Sequence, residues 1–259
     1  MPDRLTTETF DLSKTSAAFV SQFSKELFVA HNRIFAGLDE ETFVRYVFRS
    51  GATATKIRIY RNEAHAIVGY AAVHRYRKRI WGKSVTVFRA EAGLLPEYRG
   101  HGTTFYFYTL ELAKYFLLHP AKPIFYLGVL VHPSSYLVFA RYFQVVYPKR
   151  DCETPEKMYR VMQEMVDSFG IPAVDPSDPL IRRVGWTTRQ AKQFWVQTQD
   201  PDVVFFRKRN PGYCRGHGLV IIVPITIKNL LGSFAVYAYE HLKRRLAAHV
   251  RGGGERRLP

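Results

Sequence analysis

The spacing of apolar residues changes period several times along the chain. Between residues 15 and 31, Phe19, Phe23, Leu27 and Val29 fall near one side of a helical wheel. Between 39 and 48, Phe43, Val44, Tyr46 and Val47 follow Asp39, a residue type that opens helices. The period then shortens, and residues 54–60 and 64–74 read as strands joined by a turn at Arg61-Asn62-Glu63. Arg75, Arg77, Lys78, Arg79 and Lys83 surround Trp81-Gly82, the pattern of an exposed hairpin tip leading into a third strand over 84–95. A helix is predicted over 103–118 and stopped by His119-Pro120, because proline cannot continue it. Residues 124–131 form an unbroken apolar run, as in a buried strand, and His132-Pro133-Ser134-Ser135 leads into a helix over 135–143. The middle of the chain thus predicts strand, loop, helix, strand, helix: an α/β unit with a crossover connection.

Beyond Lys149-Arg150 the character shifts. Residues 154–168 predict a helix, and 171–179, with three prolines and two aspartates, predict a linker. Two strands are expected at 203–207 and 219–223, flanking a turn at Asn210-Pro211-Gly212. A long amphipathic helix is expected over 227–250. The domain expectation is a first unit over 1–150, an extension over 151–251 packed on it, and a disordered tail over 252–259.

Composition narrows the class. The 259 residues are 47% hydrophobic and 23% charged, which is globular and long enough for one large domain or one domain with an extension. Aromatics reach 15% and are spread along the chain, which fits an aromatic-rich core or a broad apolar substrate cleft. The formal net charge of +16 directs attention to anionic partners: nucleic acid, an anionic membrane, an acidic carrier protein or a polyphosphate. Cys152 and Cys214 are too few for a disulfide framework or a cysteine zinc site. The first fourteen residues are polar and include Asp3, Glu8 and Asp11, unlike a signal peptide, so a reduced, cytoplasmic setting is expected.

The sharpest chemical motif is Pro96-Glu97-Tyr98-Arg99-Gly100-His101-Gly102-Thr103-Thr104, placed after a predicted strand and before a predicted helix. Polyphosphates are held by backbone N–H groups converging at a helix N-terminus, and glycines let the main chain approach. A tight turn with incidental glycines has the same letters. A Walker loop requires Gly-Lys-Ser/Thr, and Gly102-Thr103-Thr104 lacks the lysine; the dinucleotide fingerprint requires a third glycine where Phe105 stands. A second Arg-Gly-His-Gly, at 215–218, runs into a predicted strand and reads as a turn.

With this loop, departing at Thr104 from the usual small residue, the chain resembles the GNAT superfamily of acyl-CoA-dependent N-acyltransferases over residues 15–150. The resemblance implies an α/β (α+β) fold with a mixed, mostly antiparallel sheet flanked by helices. It implies that the strand at Leu94 and Leu95 pairs with the pantetheine arm. Main-chain N–H groups of Arg99, Gly100, His101, Gly102, Thr103 and Thr104 would hold the pyrophosphate. Ser135 stands where the family often has asparagine, which makes Tyr142 the tyrosine that protonates the leaving thiolate, with Tyr136 as competitor; either also reads as a packing tyrosine. Amine acylation needs a proton acceptor, for which Glu91 ranks first and His132 second. The plainer alternatives are an ion pair between Glu91 and Arg89 and, for His74, a surface histidine. The implied donor is acetyl-CoA or a longer acyl-CoA, or an acyl carrier protein thioester, the acceptor an amine, and no metal is required. A non-catalytic module binding acyl-phosphopantetheine is the competing class.

The C-terminal segment adds two further partners to consider. Residues 218–239 are apolar but interrupted by Pro224, Lys228 and Asn229, unlike a membrane span. Leu230, Leu231, Phe234, Ala235, Ala238 and Leu242 follow helical spacing, and Lys243, Arg244, Arg245 and Arg251 come next. Such a stripe packs on its own domain or makes peripheral membrane contact. The positive charge also suits an acidic acyl carrier protein. Arg75-Tyr76-Arg77 and Trp81 interleave basic and aromatic residues as nucleic-acid binders do, without a recognised motif.

Overall fold

The computed structural model describes residues 5–99, 103–189 and 192–254. In chain order the elements are β1 (Thr6–Asp11), α1 (Ala17–Ile34), β2 (Phe35–Ala36), α2 (Glu40–Val47), β3 (Ala54–Arg61), β4 (Ile67–Ile80), β5 (Lys83–Leu94), α3 (Thr103–Leu118), β6 (Ile124–Leu130), α4 (Pro133–Tyr142), α5 (Glu156–Asp167), β7 (Ala173–Asp175), β8 (Asp178–Arg183), β9 (Thr187–Thr188), α6 (Lys192–Gln197), α7 (Pro201–Arg209), β10 (His217–Pro224) and α8 (Ile227–Gly254). Eight strands form one sheet in the order β1-β3-β4-β5-β6-β10-β8-β7, and β2 pairs with β9 separately. Every pairing in the large sheet is antiparallel except β5 with β6, where α3 supplies the crossover. This is the mixed, mostly antiparallel sheet flanked by helices that the sequence predicts.

Local signals explain where the elements begin. The Ser16 hydroxyl accepts the Phe19 N–H at the start of α1, and the Asp39 carboxylate accepts the Thr42 N–H at the start of α2. β4 and β5 are joined by the two residues Trp81 and Gly82, both at positive φ (47° and 74°), the backbone twist that matches a tight antiparallel hairpin.

Alternation along the strands sorts the helices onto two faces. Ile57, Ile59, Tyr70 and Ala72 point toward α1 and α2 and pack with Phe23, Leu27, Phe43 and Val47. On the same face Leu127, Val220 and Ile222 meet Met162, Met165 and Val166 of α5. The opposite face carries Ala71, Val73, Phe88 and Tyr126 against Phe107 and Leu112 of α3, Phe139 of α4 and Leu230 of α8. Each large side chain removed from water contributes about 1.5–3 kcal/mol before the entropy of ordering it is counted.

Several expectations are corrected. Residues 171–179 are not a linker: β7 and β8 form a hairpin there, and the Asp175 carboxylate accepts from the Ser177 N–H at 2.8 Å to fix the turn. Residues 203–207 are helical, not a strand. Val203, Val204, Phe205 and Phe206 have strand-like composition, but Asp200 accepts from the N–H groups of Asp202 and Val203, and Pro201 starts the first turn, so the cap decides. The polar opening of the chain holds an edge strand, β1, which its exposed residues did not advertise. β4 runs six residues past its predicted end, and α8 continues to Gly254; residues 255–259 of the expected tail lie outside the described residues. The second Arg-Gly-His-Gly is a turn, with Gly216 at φ 80° leading into β10. The segment after residue 150 continues the same sheet through β10, β8 and β7. No described helix is long and apolar enough to cross a membrane.

Candidate active site

The sheet has one seam that opens. β5 pairs with β4 along its whole length to Leu94, but with β6 only from Thr86–Phe88 to Ile124–Tyr126. Past Phe88 the two strands part, and β6 keeps its pairing with β10 on the other side. From Arg89 to Leu94 the β5 edge therefore has no strand partner on this side among the described residues and faces a cleft, a ready place for an extended ligand. The cleft is bounded by Arg89 and Glu91 on β5, by Leu127 to Val131 on β6 and by Ser135 on α4. Its roof comes from α1, α2 and Trp186.

Among the described residues Glu91 is the one carboxylate on this lining, and it does not pair with Arg89. Its Oε1 lies 2.6 Å from Nε2 of His74, a residue 1% exposed rather than on the surface. The Thr55 hydroxyl is 2.9 Å from the other ring nitrogen, Nδ1, and the Ser50 hydroxyl 3.3 Å. A carboxylate can only accept, so toward an ionised Glu91 it is Nε2 that donates. The carboxylate is thus oriented by a buried chain that ends on β3. Arg89 turns instead to the Tyr46 hydroxyl, at 3.1 Å, and lies against the Phe169 ring at 4.7 Å.

The remaining predicted residues divide. Leu94 and Leu95 are buried at the top of β5, and the Leu94 carbonyl accepts from Nε of Arg99 at 2.6 Å, which ties the loop entrance to the strand. Gly100, His101 and Gly102 lie outside the described residues. Thr103 and Thr104 open α3, where a phosphate-binding loop would deliver its ligand; the Thr103 hydroxyl is buried beside that of Tyr60. Ser135 borders the cleft in the first turn of α4. His132 caps that helix: its Nδ1 accepts the Ser134 N–H at 3.2 Å, and its ring meets Trp195 edge to face. Burial, reinforced by the nearby Arg99 charge, lowers its pKa to about 4, so it is a neutral and weakly basic group. Neither tyrosine lines the cleft. The Tyr142 ring packs against Phe105 with centroids 4.3 Å apart, and the Tyr136 hydroxyl donates to the Pro148 carbonyl at 3.2 Å.

Three cleft residues carried no functional reading. His31 of α1 holds the Tyr70 hydroxyl at 2.8 Å through Nδ1, and burial lowers its pKa to about 4. Its position four residues after Leu27 on the apolar stripe was the available signal. Tyr46 was assigned only to the apolar side of α2. Trp186 meets the Tyr46 ring at 4.7 Å and had no signal, since it reaches the cleft only because β9 pairs with β2.

No family model matches the chain, and no curated protein is similar to it. Solved structures of GNAT acetyltransferases are among those it resembles in fold. A GNAT family acetyltransferase from Brucella melitensis, in complex with acetyl-CoA, is 16% identical over 59% of this chain and 92% of that chain, with a TM-score of 0.33. A GNAT family N-acetyltransferase from Escherichia coli, in complex with CoA, is 14% identical over 53% and 68%, with a TM-score of 0.32. A probable N-acyltransferase from Enterococcus faecalis is 13% identical over 54% of this chain, which spans 32% of that chain's length, with a TM-score of 0.34.

Proposed function

We propose that this protein transfers an acyl group from a phosphopantetheine thioester, acetyl-CoA or a longer acyl-CoA, to an amine. One observation carries the reading: the seam between β5 and β6 opens beside a carboxylate that a buried histidine holds in place. The donor's pantetheine arm adds to the free edge of β5 from Leu94 inward, and its pyrophosphate meets the loop before α3, where the helix dipole favours anions. The acceptor enters from the α1–α2 side. Glu91 takes one proton from the ammonium, the amine attacks the thioester carbonyl, and the new C–N bond forms as the C–S bond breaks; the second proton, shed by the acylated nitrogen, passes to the departing thiolate, leaving amide, thiol and protonated Glu91. Catalysis rests on holding thioester and amine together and on this proton transfer. The chain's charge of +16 favours a polyphosphate donor.

Calorimetry with acetyl-CoA and longer acyl-CoAs, followed by thiol release on adding amines, tests the reading. Binding of at least one donor and amine-dependent release are expected. Failure of every donor to bind overturns the assignment, and binding without release reduces the protein to a module that holds the donor.

A further inference from the structure

Among the described residues Arg89 is the one lysine or arginine on the cleft lining. It follows Phe88, the last β5 residue paired with β6, so it stands where the seam begins to open. Among the described residues it forms no ion pair. Its one hydrogen bond goes to the Tyr46 hydroxyl, which uses one of the five donors of a guanidinium. Tyr46 does not neutralise it, because burial raises the phenol's pKa and keeps it protonated. Glu91 does not neutralise it either, being turned to His74. By contrast Arg182, buried in the sheet extension, has its carboxylate, Asp167, at 2.7 Å. Arg89 is half-buried with its guanidinium over the Phe169 ring, and a guanidinium is matched best by two coplanar oxygens, which neither ring nor phenol supplies.

Arg89 and Glu91 are two residues apart on one strand and point to the same face, about 6–7 Å from each other along it. A molecule with an ammonium at one end of a short link and a carboxylate at the other can reach both. Around them the walls are aromatic: Phe35, Phe43, Tyr46, Tyr70 and Trp186. We infer that the amine acceptor is an amino carboxylate with an apolar side chain, an α-amino acid of the phenylalanine or leucine kind, whose carboxylate is read by Arg89 while its amine faces Glu91. This inference rests on the acyl-transfer reading for the second substrate's role, but the binding site it names stands on the Arg89 geometry.

The test compares ligands that differ only in the carboxylate: phenylalanine against phenethylamine, and leucine against isopentylamine. Affinity is measured by calorimetry on the full chain, with and without saturating CoA, and turnover by thiol release from acetyl-CoA. The amino acid of at least one pair is expected to bind tenfold or more tightly than its decarboxylated partner. Arg89→Met is expected to bring it down to the partner's level, and Arg89→Lys to restore part of the difference. Equal affinities within both pairs, no binding of either amino acid, or a preference that survives Arg89→Met would each overturn the inference. If Arg89→Met fails to fold, the ligand pairs on the unaltered chain decide alone. The two readings fail separately. Carboxylate-dependent binding without thiol release keeps the Arg89 site and removes the transferase. Release that is indifferent to the carboxylate keeps the transferase and removes the amino acid.

Discussion

β6 has two neighbours and treats them differently. Toward β10 it pairs over six residues, from Leu130 with Leu219 to Phe125 with Pro224, and Leu219 to Val223 are fully buried. Toward β5 it pairs over three, and then Arg89 and Glu91 occupy the gap. The closed seam pairs the two strands over the length of the register and helps hold the sheet together. On the function proposed above, the open one is where the ligand adds, so stability and function would sit on opposite edges of one strand.

The comparison can be broken first at its strongest point. Glu91→Gln keeps an acceptor for the His74 N–H and removes the base. Thiol release is expected to fall about 10²–10⁴-fold while urea unfolding is nearly unchanged. Unchanged release would show that the open seam is not where the chemistry occurs. On the closed seam, Ile221→Ala removes a side chain fully buried in the core on the sheet face that carries α3. A loss of about 2–5 kcal/mol is expected in urea unfolding, with release per folded molecule retained. Loss of release without loss of stability would reverse the division. A smaller effect is expected from His74→Phe. It removes the N–H that orients Glu91, a hydrogen bond to a charged group worth about 1.5–3 kcal/mol, so release should drop about ten- to a hundredfold and the midpoint should fall modestly.

Much of the closed seam was legible in the sequence, because unbroken apolar runs such as Ile124 to Leu130 and Leu219 to Val223 announce buried strands. The Glu91 face was legible too, from alternation alone. The open seam was not. Nothing in the letters from Arg89 to Leu94 says that a strand paired on one edge is free on the other; that follows from where β6 diverges, a property of the sheet's twist. The same limit applies to Glu91's partner. Arg89 was the near choice in sequence, and His74 is the neighbour across the β4–β5 register, which places His74 opposite Arg89 and one step diagonal from Glu91. Trp186 entered through a two-strand pairing too short to leave a pattern.

The two seams also end on histidines, and acid should distinguish them. His31 stands over the open seam, with no partner for its Nε2 among the described residues; His132 closes β6 and caps α4. Burial lowers both to about 4, with Arg99 adding to the effect on His132. An unfolded histidine titrates near 6.5, so between that value and 4 the unfolded chain binds more protons than the folded one. The stability from keeping these rings neutral is complete above about pH 6.5, declines as pH falls toward 4, and changes no further below it. The slope within the window is about 1.4 kcal/mol per pH unit for each ring. His132→Asn keeps a side-chain acceptor for the Ser134 N–H and removes the titration. Urea unfolding of this variant between pH 6.5 and 5 is expected to show about one proton less of uptake than the parent chain, while His31 still contributes its share. An unchanged slope would mean that His132 is protonated in the folded chain at those pH values, and that the end of β6 is more open to water than its packing against Trp195 allows.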